Sequence, residues 1–238
     1  MLTFIRPVLY LTGMIQLIVA GMMLIPCLLE IFSHGPDAGD FFDSAFITAF
    51  IALALILSMK TEVRTLNVKQ MFLLVTVTWT ITCMTCSLPF ITTEINLSLT
   101  DAFFEATSGL TTTGSTVITG LDGQPGGILL WRSLTQWLGG IGIVGMAIIL
   151  FPFMRIGGMQ LFKSESSEKG EKVVAQAKIF AASLLGVYLT ISIISALMFH
   201  LAGMNWFDAI NHMMSSIATA GFSTHDNSIG YYNSIPII

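Results

Sequence analysis

An all-α, polytopic membrane fold is predicted by this sequence from its composition and from the spacing of its apolar runs. Of 238 residues, 54% are hydrophobic and only 10% are charged, with a mean hydropathy of +0.81. That balance lies outside the usual range of water-soluble domains. Five apolar runs, residues 7–31, 41–59, 70–90, 127–153 and 179–201, approach or exceed the roughly 20 residues a helix needs to cross a hydrocarbon layer of about 30 Å. The basic residues fit such a weave. Arg6, then Lys60, Arg64 and Lys69, then Arg155, Lys163, Lys169, Lys172 and Lys178 flank alternate ends of the runs. A cytoplasmic N-terminus puts all three groups inside, as the positive-inside rule expects. Acidic residues, from Asp37, Asp40 and Asp43 to Asp208 and Asp226, collect outside, where they would concentrate cations within about a Debye length of the surface.

Taken in order, the first run reads as a span and not as a cleaved secretory signal, because it is long and no A-x-A-like site closes it. Cys27, Cys83 and Cys86 all fall inside apolar runs. The Cys83-x-x-Cys86 spacing has no second ligand pair, so these read as small buried residues, not a zinc or redox site. After the third run and a short polar loop, about ten residues of helix-compatible sequence begin at Asp101, a candidate N-cap or first-turn acid. They are too few to cross the bilayer, so the helix must re-enter and stop midway.

The short helix runs into "GLTTTGSTVITG", residues 109–120, rich in hydroxyls and glycine. The segment repeats without gaps at an offset of 107 residues: "DAFFEATSGLTTTGST" from Asp101 aligns with "DAINHMMSSIATAGFS" from Asp208. Asp101/Asp208, Ala102/Ala209, Ser108/Ser215, Thr112/Thr219 and Gly114/Gly221 are identical pairs. Internal repeats are common in membrane transport proteins. Irregular backbone at membrane depth is tolerated only where protein buries it or where it lines a water-filled cavity. Glycine at Gly114 and Gly221 permits turns that aim successive carbonyls to one side. A half-helix whose C-terminal end points inward favours a cation over an anion. A single such stretch is equally compatible with an outer surface turn; its repetition favours one wall of a cation selectivity filter.

The stretches "DAFFEATSGLTTTGSTVITGLD", "WRSLTQWLGGIGIVGMAIILFP", "IGGMQLFKSE" and "IATAGFSTHDNSIGYY" together resemble the TrkH family, membrane subunits of the bacterial Trk potassium-uptake systems within the Trk/Ktr/HKT superfamily. The likeness extends from about residue 60 onward. The resemblance implies four helix–pore loop–helix units around one pore, preceded by two extra helices, in the bacterial inner membrane. On that pattern residues 1–68 hold the two N-terminal helices, 69–153 the first complete unit, 154–178 a cytoplasmic linker, and 179–238 an incomplete second unit. Two filter loops of four are then present. A ring with half its oxygens missing leaves K⁺ poorly compensated, so the chain reads as part of a longer protein, a truncated product, or a half that pairs with a second copy. The resemblance further implies K⁺ as the transported ion, a homodimer in complete form, and a cytosolic nucleotide-binding regulatory subunit of the TrkA type.

For carbonyl donors the sequence points to Thr112, Thr113, Gly114 and Ser115 in the first loop and to Thr219, Ala220, Gly221 and Phe222 in the second, with K⁺ nearest Thr112, Thr113, Thr219 and Ala220. Glu105 and Arg132 are ionisable at membrane depth. A pair bracing the pore helix, which an exchange of the two charges would preserve, competes with direct ion binding. "GIGIVG", residues 140–145, matches the dinucleotide fingerprint by letter, but no strand precedes it. Gly139, Gly142 and Gly145 read as sites of close helix approach. Residues 154–178 form either a solvated linker or part of the regulatory docking face. His34, His200, His212 and His225 lack metal-ligand spacing; His212, matched with Glu105, is expected to fill a packing site, and His225 with Asp226 to lie in the outer vestibule. No nucleophile or redox set suggests an enzyme, no bound cofactor or nucleic acid is expected, and membrane lipid is the surrounding partner. A scaffold or regulatory subunit without transport is the alternative; a membrane oxidoreductase lacks the paired His ligands it would need.

Overall fold

The structure is a computed structural model describing residues 2–63, 66–150 and 169–232. Among the described residues the chain forms α1 (Leu2–Ser33), α2 (Ala38–Ser58), α3 (Val68–Cys86), α4 (Leu88–Thr92), α5 (Leu99–Leu110), α6 (Gly126–Leu150), α7 (Lys169–Leu201) and α8 (Trp206–Ile217), with no strand. Four stretches, Thr3–Ser33, Ala38–Ser58, Val68–Thr92 and Ala182–Leu201, are long and apolar enough to cross a membrane. The fourth expected run, residues 127–153, differs from these. α6 has 25 residues, about 37 Å of helix, but Arg132, Ser133, Thr135 and Gln136 in its first half are buried. Its polar face is turned into protein, where lipid does not penalise it. Residues 151–153 of that run lie outside the described ones.

The third run is one apolar stretch but two helices. Pro89, at the start of α4, has no N–H to continue the ladder, and the regular helix is interrupted at Ser87. The mixed-charge segment also differs from the expected linker: α7 begins at Lys169, because "KGEKVVAQAK" is rich in good helix formers. Residues 154–168 lie outside the described ones.

Polar contacts fix the register of α1 on α3. The hydroxyls of Thr12 and Thr78 are 2.9 Å apart, Gln16 donates to Thr82 at 2.7 Å, Thr85 donates back to Gln16 at 2.7 Å, and Gln70 donates to the Phe4 carbonyl at 2.9 Å. Such bonds between helices in a bilayer are each worth about 0.6 to 2 kcal/mol. Trp131 on α6 donates to the Cys86 carbonyl at 3.0 Å, tying the two long helices of the first unit together beside a core of Met23, Phe41, Phe90 and Ile128. Cys27, Cys83 and Cys86 are buried free thiols within this packing.

Glycine decides how close α6 comes to its neighbours. A Cβ at Gly139 would stand 2.0 Å from the Leu110 carbonyl oxygen, and one at Gly140 2.7 Å from the Tyr188 hydroxyl. Gly142 makes only ordinary contact with Trp79, and nothing lies within 4 Å of Gly145. Of the three glycines expected to allow close approach, Gly139 does so, Gly140 joins it, and Gly142 and Gly145 do not among the described residues.

Candidate functional site

α5 and α8 have 12 residues each, about 18 Å, roughly half the hydrocarbon thickness. Neither repeated aspartate is the N-cap. Ser98 accepts the Asp101 N–H at 3.2 Å and donates to its carboxylate at 2.7 Å; Asn205 accepts the Asp208 N–H at 2.9 Å and donates to its carboxylate at 2.7 Å. The aspartates sit one turn inside, where negative charge suits the helix N-terminus.

Both helices end in the same turn. Thr113 N–H donates to the Ser108 carbonyl at 2.9 Å, and Ala220 N–H to the Ser215 carbonyl at 3.0 Å. Thr112 (φ 53°) and Thr219 (φ 55°) are both left-handed, as are Gly114 (φ 80°) and Gly221 (φ 116°). A β-branched residue at positive φ costs about 1–3 kcal/mol and persists only where surrounding contacts impose it. Its occurrence at the same position of both copies makes it a property of the turn. The two loops also meet: a Cβ on Gly114 would lie 2.1 Å from the Ala220 carbonyl oxygen. Thr113, Ser115, Thr219 and Gly221 are exposed, Thr112, Gly114 and Ala220 half-buried, and Phe222 buried.

A buried cluster stands behind both loops. Arg132 Nε donates to Glu105 Oε1 at 2.9 Å, with the two side chains 1% and 0% exposed. Glu105 also accepts from the Thr116 hydroxyl at 2.8 Å and from Val117 N–H at 3.0 Å. The remaining guanidinium nitrogens of Arg132 donate to Thr116 Oγ1 at 3.0 Å and to the Ser223 carbonyl at 3.0 Å, while its Cζ lies 4.2 Å from the centre of the Phe222 ring. One guanidinium thus holds the first loop by Thr116 and the second by Ser223 and Phe222. Gln136, one turn along the same face, accepts Phe222 N–H at 3.3 Å.

His212 does more than fill space. Its Nε2 is 3.0 Å from Ser223 Oγ, and Ser223 is the repeat partner of Thr116. The Glu105–Thr116 bond of the first copy is therefore reproduced as His212–Ser223 in the second, with different chemistry at equal positions. His212 Nδ1 faces the Asp208 carbonyl at 2.9 Å, so it carries the proton and Nε2 accepts the serine hydroxyl when the ring is neutral. Beyond the two turns, His225 lies between Asp122 Oδ1 at 2.5 Å and Asp208 Oδ2 at 3.2 Å, stacked on Tyr231, and Asp226 accepts Gly120 N–H at 2.9 Å. This clasp joins the segments of the two loops that follow the turns. Among the described residues no group of three His, Cys, Asp or Glu side chains forms a metal site.

The hydrogen bond from His225 holds the Asp122 carboxyl below the usual carboxylate range. A depressed folded-state pKa contributes stability that is present above the unfolded value, near 3.9, and lost as pH falls through the folded one. The melting-temperature gap between the detergent-solubilised chain and its Asp122→Asn variant is therefore expected to be present at pH 6 and to shrink as the pH falls below the ordinary carboxylate value near 3.9. A gap that persists at low pH would refute the linkage.

The residues that sequence reasoning missed are Gln136, Thr116 and Ser223. Thr116 and Ser223 stand just after the motif and differ in identity, and nothing local marks Gln136, whose partner is 86 residues away.

Comparison with known proteins bears on this geometry. The family model described as "TrkH: Cation transport protein" matches residues 39–238. The chain is 38% identical over 231 residues to the Trk system potassium uptake protein TrkI of Halomonas elongata, covering 97% of this chain and 47% of that protein. It is 38% identical over 232 residues to the Trk system potassium uptake protein TrkH of Escherichia coli K12, covering 96% and 48%. The crystal structure of the potassium transporter TrkH from Vibrio parahaemolyticus matches with a TM-score of 0.87 and 36% identity over 98% of this chain and 47% of that one. The chain spans about half the length of these relatives.

Proposed function

We propose, since the chain belongs to the TrkH family of cation transport proteins, that it lines half of a potassium uptake path across the bacterial inner membrane. The observation that carries this reading is the pair of matched Thr-x-Gly turns, each at the end of a half-helix, brought against each other and braced by one arginine. K⁺ sheds water for oxygens supplied by Thr112, Thr113, Gly114 and Ser115 and by Thr219, Ala220, Gly221 and Phe222, with the ion nearest Thr112, Thr113, Thr219 and Ala220. Phe222 contributes only main chain, since its ring packs under Arg132. The other loops of the ring come from outside these 238 residues. Uptake is conduction down the electrochemical gradient, about 2.3 kcal/mol per monovalent ion per 100 mV, not catalysis.

The N-terminus is cytoplasmic, the complete assembly is a dimer, and a TrkA-type nucleotide-binding ring docks on the inner face near residues 154–178. Transport is favoured over a scaffold role because the relatives bear the name of potassium uptake proteins. In a host without its own uptake systems, the chain joined to a TrkH-type C-terminal half is expected to support growth on low potassium and Rb⁺ uptake, whereas the 238-residue chain alone is not. No uptake by the joined protein at normal membrane abundance would sink the reading; uptake by the short chain would mean that copies pair to complete the ring.

A further inference from the structure

α6 begins without a cap of its own. Gln124 and Pro125 lead into it and Gly126 and Gly127 open it, and none carries a side chain that caps helices well, so its first amides need an acceptor from elsewhere. That acceptor is on α1. Glu30, 2% exposed, accepts Gly127 N–H through Oε1 at 2.5 Å. Two glycines make room for the carboxylate: a Cβ at Gly35 would stand 1.7 Å from Oε2, and one at Gly127 2.6 Å from Oε1. Oε2 is buried with no hydrogen-bond partner among the described residues. A buried acid so placed is a costly way to fill space, and it lies where the positive end of the α6 dipole compensates it.

Arg132 follows Gly127 by five residues, about 7.5 Å along the axis. Whatever fixes Gly127 fixes the height of the guanidinium that holds both loops. α1 is also bonded to α3 through Gln16, Thr82 and Thr85, so it is attached to both long helices flanking the first loop. The geometry points to Glu30 as a positioning residue of the ion path: by capping α6 from α1, it sets the height of Arg132 and with it the spacing of the two Thr-x-Gly turns. The helix pair outside the loop-bearing units thereby takes part in permeation. The inference rests on the potassium-path reading.

Two measurements on Glu30→Ala and Glu30→Gln test it. In hydrogen exchange on this chain in detergent, residues 126–131 are expected to exchange about fivefold faster in Glu30→Ala, the size of a lost cap. Exchange stays near wild type in Glu30→Gln, whose amide oxygen still accepts. In the chain joined to a TrkH-type C-terminal half, Glu30→Ala is expected to raise the KM for Rb⁺ several-fold and to admit Na⁺ at unchanged membrane abundance, with Glu30→Gln recovering most of the loss. Unchanged exchange in Glu30→Ala overturns the cap. Faster exchange with wild-type KM and Na⁺ exclusion overturns the positioning role. A wild-type joined protein without Rb⁺ uptake overturns the transport reading and the positioning role with it, while the exchange result still decides the cap.

Discussion

Replacing Gly114 with serine in the joined protein is expected to abolish potassium-selective uptake. Gly114 has positive φ, so the substitution strains the backbone by about 1–2 kcal/mol. At Gly114 a collision adds to this strain, because its Cβ would lie 2.1 Å from the Ala220 oxygen and 2.8 Å from the Ala220 carbonyl carbon. A backbone oxygen cannot swing away as a side-chain end can, so the second loop must move as a unit, and the oxygens of both turns move with it. Strain alone corresponds to roughly a five- to thirty-fold loss. For Gly114→Ser, Rb⁺ uptake should fall below detection and any residual flux should cease to discriminate K⁺ from Na⁺. Gly120, also left-handed at φ 71° with open space around it, is the control: Gly120→Asn suits that conformation and should transport normally. A loss in Gly114→Ser no larger than strain alone predicts would mean that the contact between loops does not shape the path.

The repeat is legible in the sequence because its turn depends on a few residues of fixed identity. Only glycine takes the Gly114 and Gly221 conformations cheaply, so that pair matches letter for letter. Where several residue types perform one task, the repeat fades from the sequence while it persists in space. Ser98 and Asn205 are both good caps but differ, so letter matching favours the identical aspartates as helix starts instead. Glu105 and His212 share no chemistry that a sequence comparison rewards, yet each bonds the hydroxyl eleven residues on. The break at Ser87 is hidden because the run stays apolar through Pro89. Contacts between distant segments, such as Glu30 with Gly127 and His225 with Asp122, are separated by 97 and 103 residues. No local pattern announces them, because they arise only when helices that are individually predictable are brought side by side.

Exchanging the charges of Glu105 and Arg132 is expected not to restore transport, although a simple ion pair would tolerate it. Breaking such a buried pair by Arg132→Leu leaves a carboxylate in a dry site and should cost about 3–5 kcal/mol, seen as loss of folded protein and of Rb⁺ uptake. The structure gives each partner further obligations that are not symmetric. Glu105 accepts Val117 N–H and the Thr116 hydroxyl; a guanidinium in its place has no acceptor to offer either. Arg132 donates to the Ser223 carbonyl and covers the Phe222 ring; a carboxylate there would face a carbonyl oxygen and an aromatic π-face, both repulsive. The double reversal therefore removes four favourable contacts to preserve one attraction. A neutral pair, Glu105→Gln with Arg132→Met, should behave differently: the glutamine oxygen still serves Val117, no buried charge remains unpaired, and folded protein should recover to well above the level of Arg132→Leu. Uptake should stay low in that variant, because nothing then ties Ser223 to Thr116 across the two loops. Recovery of uptake in the double reversal would reduce the arginine to a counter-ion, and recovery in the neutral pair would mean that α6 holds the loops without its guanidinium.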